Sequence, residues 1–244
     1  MGRVRPALRK FILHASLLRW LFGVTLLHLS GCASVSSPVF DILSGSTMNP
    51  AEAREKDISS FKADPRFDFL RVDVSNRSAA VLILGSVEAH PGGEVKVWYS
   101  GLREVIKTQN GRIIGTYGLE VDWFNVVWSP MPPAWSAVGS QEIYFQRVHD
   151  EMPGYRYAVS DQVELKRWHG VPPIKLPVSL PPELAAKLTW FSETSVSSTH
   201  QALPTAWYAW GVHQGRPAMI YSEQCLSVTF CLKLQLWPAQ ESAS

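Results

Sequence analysis

Cysteine is scarce in this 244-residue chain, three in all, too few to staple a fold, so stability has to come from a packed core. Charged residues make up only 18% and hydrophobic ones 46%. Without long low-complexity runs, that balance excludes a disordered tail or a collagen. No repeat of fixed period is visible. The signatures of common hydrolases are missing too: there is no Gly-x-Ser-x-Gly elbow and no His-Glu-x-x-His. Excess positive charge is absent from the body of the chain. Residues 1–31 hold Arg3, Arg5, Arg9, Lys10 and Arg19 and no acid. Taking those 5 from the 23 basic side chains leaves 18 against 21 acidic, a net −3. A domain of that sign has no electrostatic basis for gripping nucleic acid.

What the first residues do have is the order of a secretory signal, a basic stretch followed by the largely apolar Trp20 to Leu27. That run is far shorter than the roughly 20 residues needed to cross a hydrocarbon layer. Leu29-Ser30-Gly31-Cys32 follows and resembles the lipobox of bacterial lipoproteins. The resemblance implies removal of residues 1–31, a diacylglycerol on the Cys32 sulfur and an acylated new N-terminus. Several buried acyl chains, at about 0.8 kcal/mol per CH₂, anchor a protein stably. By the rule for such proteins, Ala33 after the cysteine, where aspartate would favour inner-membrane retention, points to the inner leaflet of the outer membrane. Residues 32–37 are a short polar tether, which keeps whatever follows close to the lipid headgroups.

Residues 38–244 read as one β-rich domain. A single short helix is expected over Ala53 to Phe61, capped by Asn49 with Pro50 in its first turn and Glu52 in a capping box. Thereafter the β-favouring runs are Phe69 to Val74, Ala79 to Val87, Val95 to Tyr99, Arg103 to Thr108 and Arg112 to Thr116. Further runs cover Glu142 to Val148, Tyr155 to Arg167, Leu188 to Val196, Thr205 to Val212, Ala218 to Glu223 and Thr229 to Leu236. Asn110-Gly111 predicts a tight hairpin, since both central residues of a type I′ turn need positive φ. The proline-rich stretch 171–182 cannot be a central strand and is expected to cross between two sheet halves along the surface. The sum is an all-β protein of curved antiparallel sheets, a sandwich or an open barrel.

Val97 to Leu119, VWYSGLREVIKTQNGRIIGTYGL, resembles the core of the YjbF/GfcB family of lipoproteins encoded with capsule and exopolysaccharide genes. The matching residues are Trp98, Thr108, Asn110-Gly111-Arg112 and Thr116-Tyr117-Gly118-Leu119. A second patch, Trp207-Tyr208-Ala209-Trp210 and Tyr221-Ser222-Glu223-Gln224, is similar to the family's aromatic strand and its Ser-Glu-Gln strand. The resemblance implies a predominantly β outer-membrane lipoprotein, facing the periplasm, that serves synthesis or export of a polysaccharide beside an outer-membrane β-barrel partner. It brings no catalytic residues, no metal and no cofactor beyond the lipid on Cys32.

Three readings of the chemistry follow. In the first, the chain is a non-catalytic scaffold acting by tethered positioning. In the second it is a polysaccharide-binding module, because nine of the ten tryptophans lie after residue 31 and flat rings with a polar tip suit sugars and interfaces alike. Trp128 and Trp135, in a loop rich in proline, and Trp210 are the expected exposed contacts; Trp207 and Trp210, three apart, must face opposite sides of a strand. In the third it is a polysaccharide-modifying enzyme using Glu120, Asp122 and His149, although with 21 acids a same-face carboxylate pair on a solvated edge is expected by chance. Cys225 and Cys231 would lie about 20 Å apart on one continuous strand. A disulfide between them demands a turn within Leu226 to Phe230.

Overall fold

A computed structural model of the chain describes residue 58 and residues 61–74, 79–177, 179–198 and 201–238. The signal segment, Cys32 with its lipobox, the tether and all of the expected early helix except Ile58 and Phe61 lie outside the described residues.

Among the described residues, twelve strands form one antiparallel sheet. β1 (Phe69–Val74), β2 (Ala80–Glu88), β3 (Val95–Tyr99), β4 (Val105–Gln109) and β5 (Arg112–Tyr117) pair in succession. So do β6 (Asp122–Ser129), β7 (Ile143–Met152), β8 (Arg156–Trp168), β9 (Thr189–Ser197), β10 (Ala202–His213), β11 (Arg216–Cys225) and β12 (Cys231–Trp237). β12 then pairs with β1, Phe69 opposite Trp237 and Val74 opposite Leu232. This places β5 and β6, neighbours in sequence, at the two outer edges of the sheet.

The edges meet. Thr116 Oγ1 on β5 accepts the Trp123 N–H of β6 at 3.1 Å. In the turn between them the Asp122 carboxylate accepts the N–H groups of Gly118 and Leu119, at 2.9 and 3.2 Å. The sheet is therefore rolled into a nearly closed barrel, with side-chain bonds where a twelfth ladder would complete it. Of the two expected architectures the open barrel is the one formed.

Alternation explains how each strand contributes to the interior. On β7, Phe145, Arg147, His149 and Glu151 are buried, two residues apart; β8 repeats the pattern with Val159, Asp161, Val163 and Leu165. A roll of this size encloses more width than facing side chains fill, since barrels of about 8 strands pack solid and those of about 16 leave a channel. Two inserted pieces occupy the difference. One is the tip of the β4–β5 hairpin, whose Arg112 reaches Glu193 on β9. The other is the connection between β6 and β7, residues 130–142, which turns inward through a 3₁₀ turn, Trp135–Ala137, and buries Trp135 and Val138.

The proline-rich stretch does not cross between sheet halves. It connects β8 to β9, which are hydrogen-bonded neighbours, and lies over the outer faces of β9 to β12. Leu180 and Ala185 of the short helix α1 (Pro182–Ala185) and its approach cluster with Trp190, Ala209 and Tyr221. Ser179 Oγ donates to Gln235 Oε1 at 2.5 Å and Lys233 Nζ to the Lys175 carbonyl at 2.9 Å. Prolines have no N–H to leave unpaired, so such a segment can lie flat on a sheet without joining a ladder.

Candidate functional site

The Asn110-Gly111 turn has the expected backbone, φ of 51° and 82°, and its consequence is a docking event inside the barrel. Gln224 on β11 aims its side-chain amide at the tip. Its Oε1 accepts the Ile113 N–H at 2.9 Å, and its Nε2 donates to the Gly111 carbonyl and to Ser222 Oγ, both at 2.9 Å. One side chain thus pairs with the hairpin backbone as a strand residue would. Gly111 packs so closely on Met219 that an added Cβ would overlap it.

Beside the tip, Arg112 is buried with its Nε donating to Glu193 Oε1 at 2.7 Å. Its guanidinium carbon lies 3.8 Å from the centroid of the Trp135 ring, a stacked cation–π contact. The Trp135 indole N–H donates to the Asn110 carbonyl at 2.7 Å. The Tyr208 hydroxyl donates to Glu193 Oε2 at 2.9 Å. Burial and the Glu193 charge push the Tyr208 phenol well above its ordinary range, so it remains a donor. Trp98 closes the hairpin's other flank with an indole bond to Thr108 Oγ1 at 2.9 Å.

A second buried chain of charges runs beside the first. Arg147 holds Asp161 through two bonds of 2.8 and 2.5 Å and stacks over Trp123 at 4.4 Å. His149, wholly buried, donates from Nε2 to Glu151 Oε1 at 2.9 Å, and Glu151 is also paired with Arg156. Burial first, and then the Arg147 charge, depress His149 to about 4, against the opposing pull of Asp161. Its ring is therefore neutral, and its Nδ1 has no hydrogen-bond partner.

Two of the three tryptophans expected to be exposed contacts are core residues instead. Trp135 is 2% exposed and Trp128 9%; Trp135 is carried inward by the connection at residues 130–142, whereas Trp128 belongs to strand β6 and packs edge-on against Phe145. Trp210 alone of the three is half-buried. It faces the inner cluster, while Trp207 faces the outer one with Trp168, as their spacing requires. The carboxylate pair takes a different form from a solvated edge: Glu120 is exposed, whereas Asp122 is buried and committed to the seam. Cys225 and Cys231 face each other across the β11–β12 hairpin, disulfide-bonded, with the turn at residues 226–230 between them.

Trp210 borders a cleft of about 520 Å³ at one mouth of the barrel. Its walls are the β10–β11 hairpin, the tip of β4–β5, β3 and the start of β1. Asp68, Glu94, Lys96, His213 and Arg216 stand around it, and none carries a hydrogen bond or ion pair from its side chain among the described residues. Desolvation lowers His213 below its ordinary value, with Asp68 opposing and Lys96 assisting. Sequence reasoning missed these five, and Glu193, Arg147, Asp161 and Glu151 as well. The buried charges had a partial signal: Asp161 lies between Val159 and Val163 on one strand face, and Arg147 and Glu193 each follow a phenylalanine two residues earlier. The cleft had none, because its walls come from two stretches of chain, 68–111 and 210–236, separated by β5 to β9 and their connections.

No family model matches the sequence, and no curated protein matches it. Among solved structures, the crystal structure of the hypothetical lipoprotein YmcC from Escherichia coli K12 is similar, with a TM-score of 0.56 at 12% identity, over 80% of this chain and 100% of that one. At that identity the likeness is one of fold. YmcC is a member of the YjbF/GfcB family, so the rolled sheet is a fold of the family that the stretch from Trp98 to Leu119 resembles.

Proposed function

We propose that this chain is a lipid-anchored accessory protein of the outer membrane, facing the periplasm, that supports assembly or export of a capsule or exopolysaccharide without catalysing a step. The observation that carries the reading is Leu29-Ser30-Gly31-Cys32 placed ahead of a rolled sheet that a lipoprotein also adopts. The geometry supports a structural role for the residues most suggestive of chemistry. Asp122 holds the edge turn, Glu151 and Asp161 are ion-paired, and His149 is sealed in the core. The resemblance to a lipoprotein family encoded with capsule and exopolysaccharide genes suggests the process and an outer-membrane β-barrel as the partner. The lipid on Cys32 supplies the location, and no cofactor is needed.

Labelling cells with radioactive palmitate tests the anchor. The wild-type chain takes up label and fractionates with the outer membrane, and Cys32→Ser abolishes both, with a fall in surface polysaccharide. An unlabelled mature chain, a cytosolic location, or unchanged polysaccharide in the Cys32→Ser strain would each overturn the reading.

A further inference from the structure

Most charged side chains of the barrel interior are matched: Arg112 by Glu193, Arg147 by Asp161, Arg156 by Glu151. The cleft at the β10–β11 mouth departs from this economy. Five ionisable groups, two cations, two carboxylates and one imidazole, are gathered around one concavity and satisfy none of one another. Groups left in that condition by the fold are available to a ligand, and the cleft falls within the roughly 300–1,000 Å³ of small-ligand sites.

The composition of the rim narrows the ligand's chemistry. Asp68 and Glu94 accept hydrogen bonds only; Lys96 and Arg216 donate only. His213, held toward its neutral form by desolvation, does one of each. A polyanion would meet the two carboxylates, and a polycation the two basic groups. A hydroxyl, which donates and accepts at once, is matched to every member of the ring. Between the charges the wall is apolar, with the half-buried Trp210 ring, Pro217, Ala218 and Met219, which suits the C–H face of a pyranose. The β4–β5 tip, pinned by Gln224 and Trp135, forms part of the floor, so the site is preformed and no ordering of loops opposes binding.

We propose that this cleft binds an uncharged, hydroxyl-rich saccharide segment, with Trp210 as the stacking surface and Asp68, Glu94, Lys96, His213 and Arg216 as the hydroxyl partners. The proposal rests on the polysaccharide-export reading for its biological sense, though its geometry stands apart from it.

The test uses the full chain purified in detergent and immobilised. The probe is the envelope polysaccharide of the producing cells, cut to oligosaccharides and separated into uncharged and acidic fractions by anion exchange. The uncharged fraction should be retained, and Trp210→Ala should weaken retention about tenfold, the equivalent of one stacking contact. Trp210 is half-buried, so Arg216→Gln and Asp68→Asn, at exposed side chains, provide the same test without disturbing the core, each weakening retention several-fold while the melting temperature holds. Retention of neither fraction, retention of the acidic fraction alone, or equal retention by wild type and all three variants would overturn the saccharide site. Failure here is distinct from failure of the export reading: a chain that restores surface polysaccharide to a deletion strain yet retains neither fraction removes only the cleft. A chain that retains sugar but whose deletion leaves surface polysaccharide unchanged removes only the export role.

Discussion

Arg112 is almost completely removed from water, with Glu193 against its guanidinium and the Trp135 ring stacked on it. Removing one partner of such a pair is severe, since the survivor stays buried and uncompensated. Glu193→Ala should cost about 3–5 kcal/mol in urea unfolding. Replacing both charges, as Arg112→Met with Glu193→Leu, should recover most of that loss; a double variant as weak as the single one would show the ion pair itself to be a net source of stability. His149 makes a second residue-scale prediction. Its proton affinity is lower folded, about 4, than unfolded, 6.5, so the unfolded chain binds the extra proton between those values. Its contribution is complete above pH 6.5, falls away as pH drops toward 4 and is level below. The loss is about 3 kcal/mol, from 1.36 kcal/mol per pKa unit. Comparing wild type with His149→Gln in urea at pH 7 and pH 4 isolates it: the variant should lose less stability over that interval, and parallel losses would refute the assignment.

At the scale of elements, the β4–β5 hairpin is locally encoded but globally held. Asn110-Gly111 makes the turn, yet the Gln224 amide, with the Trp135 indole, fixes where the turn sits. Gln224→Leu leaves a buried N–H and a carbonyl unpaired, each costing about 1–3 kcal/mol, so the variant should lose more stability than any surface change in the hairpin. The Cys225–Cys231 bond closes a loop already shaped by the β11–β12 pairing; a Cys225→Ser, Cys231→Ser chain should lose about 2 kcal/mol, the expectation for so short a loop, and remain folded by circular dichroism. These elements also show what was legible beforehand. Hairpins are announced by their own dipeptides, and strands such as Phe69 to Val74 and Val95 to Tyr99 begin and end where their β-branched and aromatic residues do. β6 was hidden because its Trp-Phe and Trp residues adjoin the prolines at 130, 132 and 133, and the whole stretch reads as a loop. The inward turn of Trp135, and the meeting of Asn110-Gly111-Arg112 with Ser222-Glu223-Gln224, depend on how wide the closed sheet is. That width is a property of twelve strands together and is written in no one of them.

For the molecule as a whole, the question is how a sheet with two free edges avoids joining another sheet. Unpaired edge strands are templates for aggregation unless covered or closed, and β5 and β6 are the edges here. Their closure rests on a few side-chain bonds: Thr116 to the Trp123 amide, and Asp122 to Gly118 and Leu119. Between all the other neighbouring strands the barrel wall is a backbone ladder, with bulges in several of them. A wall built this way should open at its seam before it opens elsewhere, because local opening follows the least-bonded boundary. Thr116→Val keeps the shape of the side chain and removes the acceptor; Asp122→Ala removes the turn's two bonds. In hydrogen exchange, both should speed exchange at residues 112–129 while β9 to β11 exchange at wild-type rates, and the Asp122→Ala chain should self-associate at lower concentration than wild type. Uniform acceleration across the barrel would mean that the seam and the ladders open as one cooperative unit, and the side-chain closure would then have no separate role.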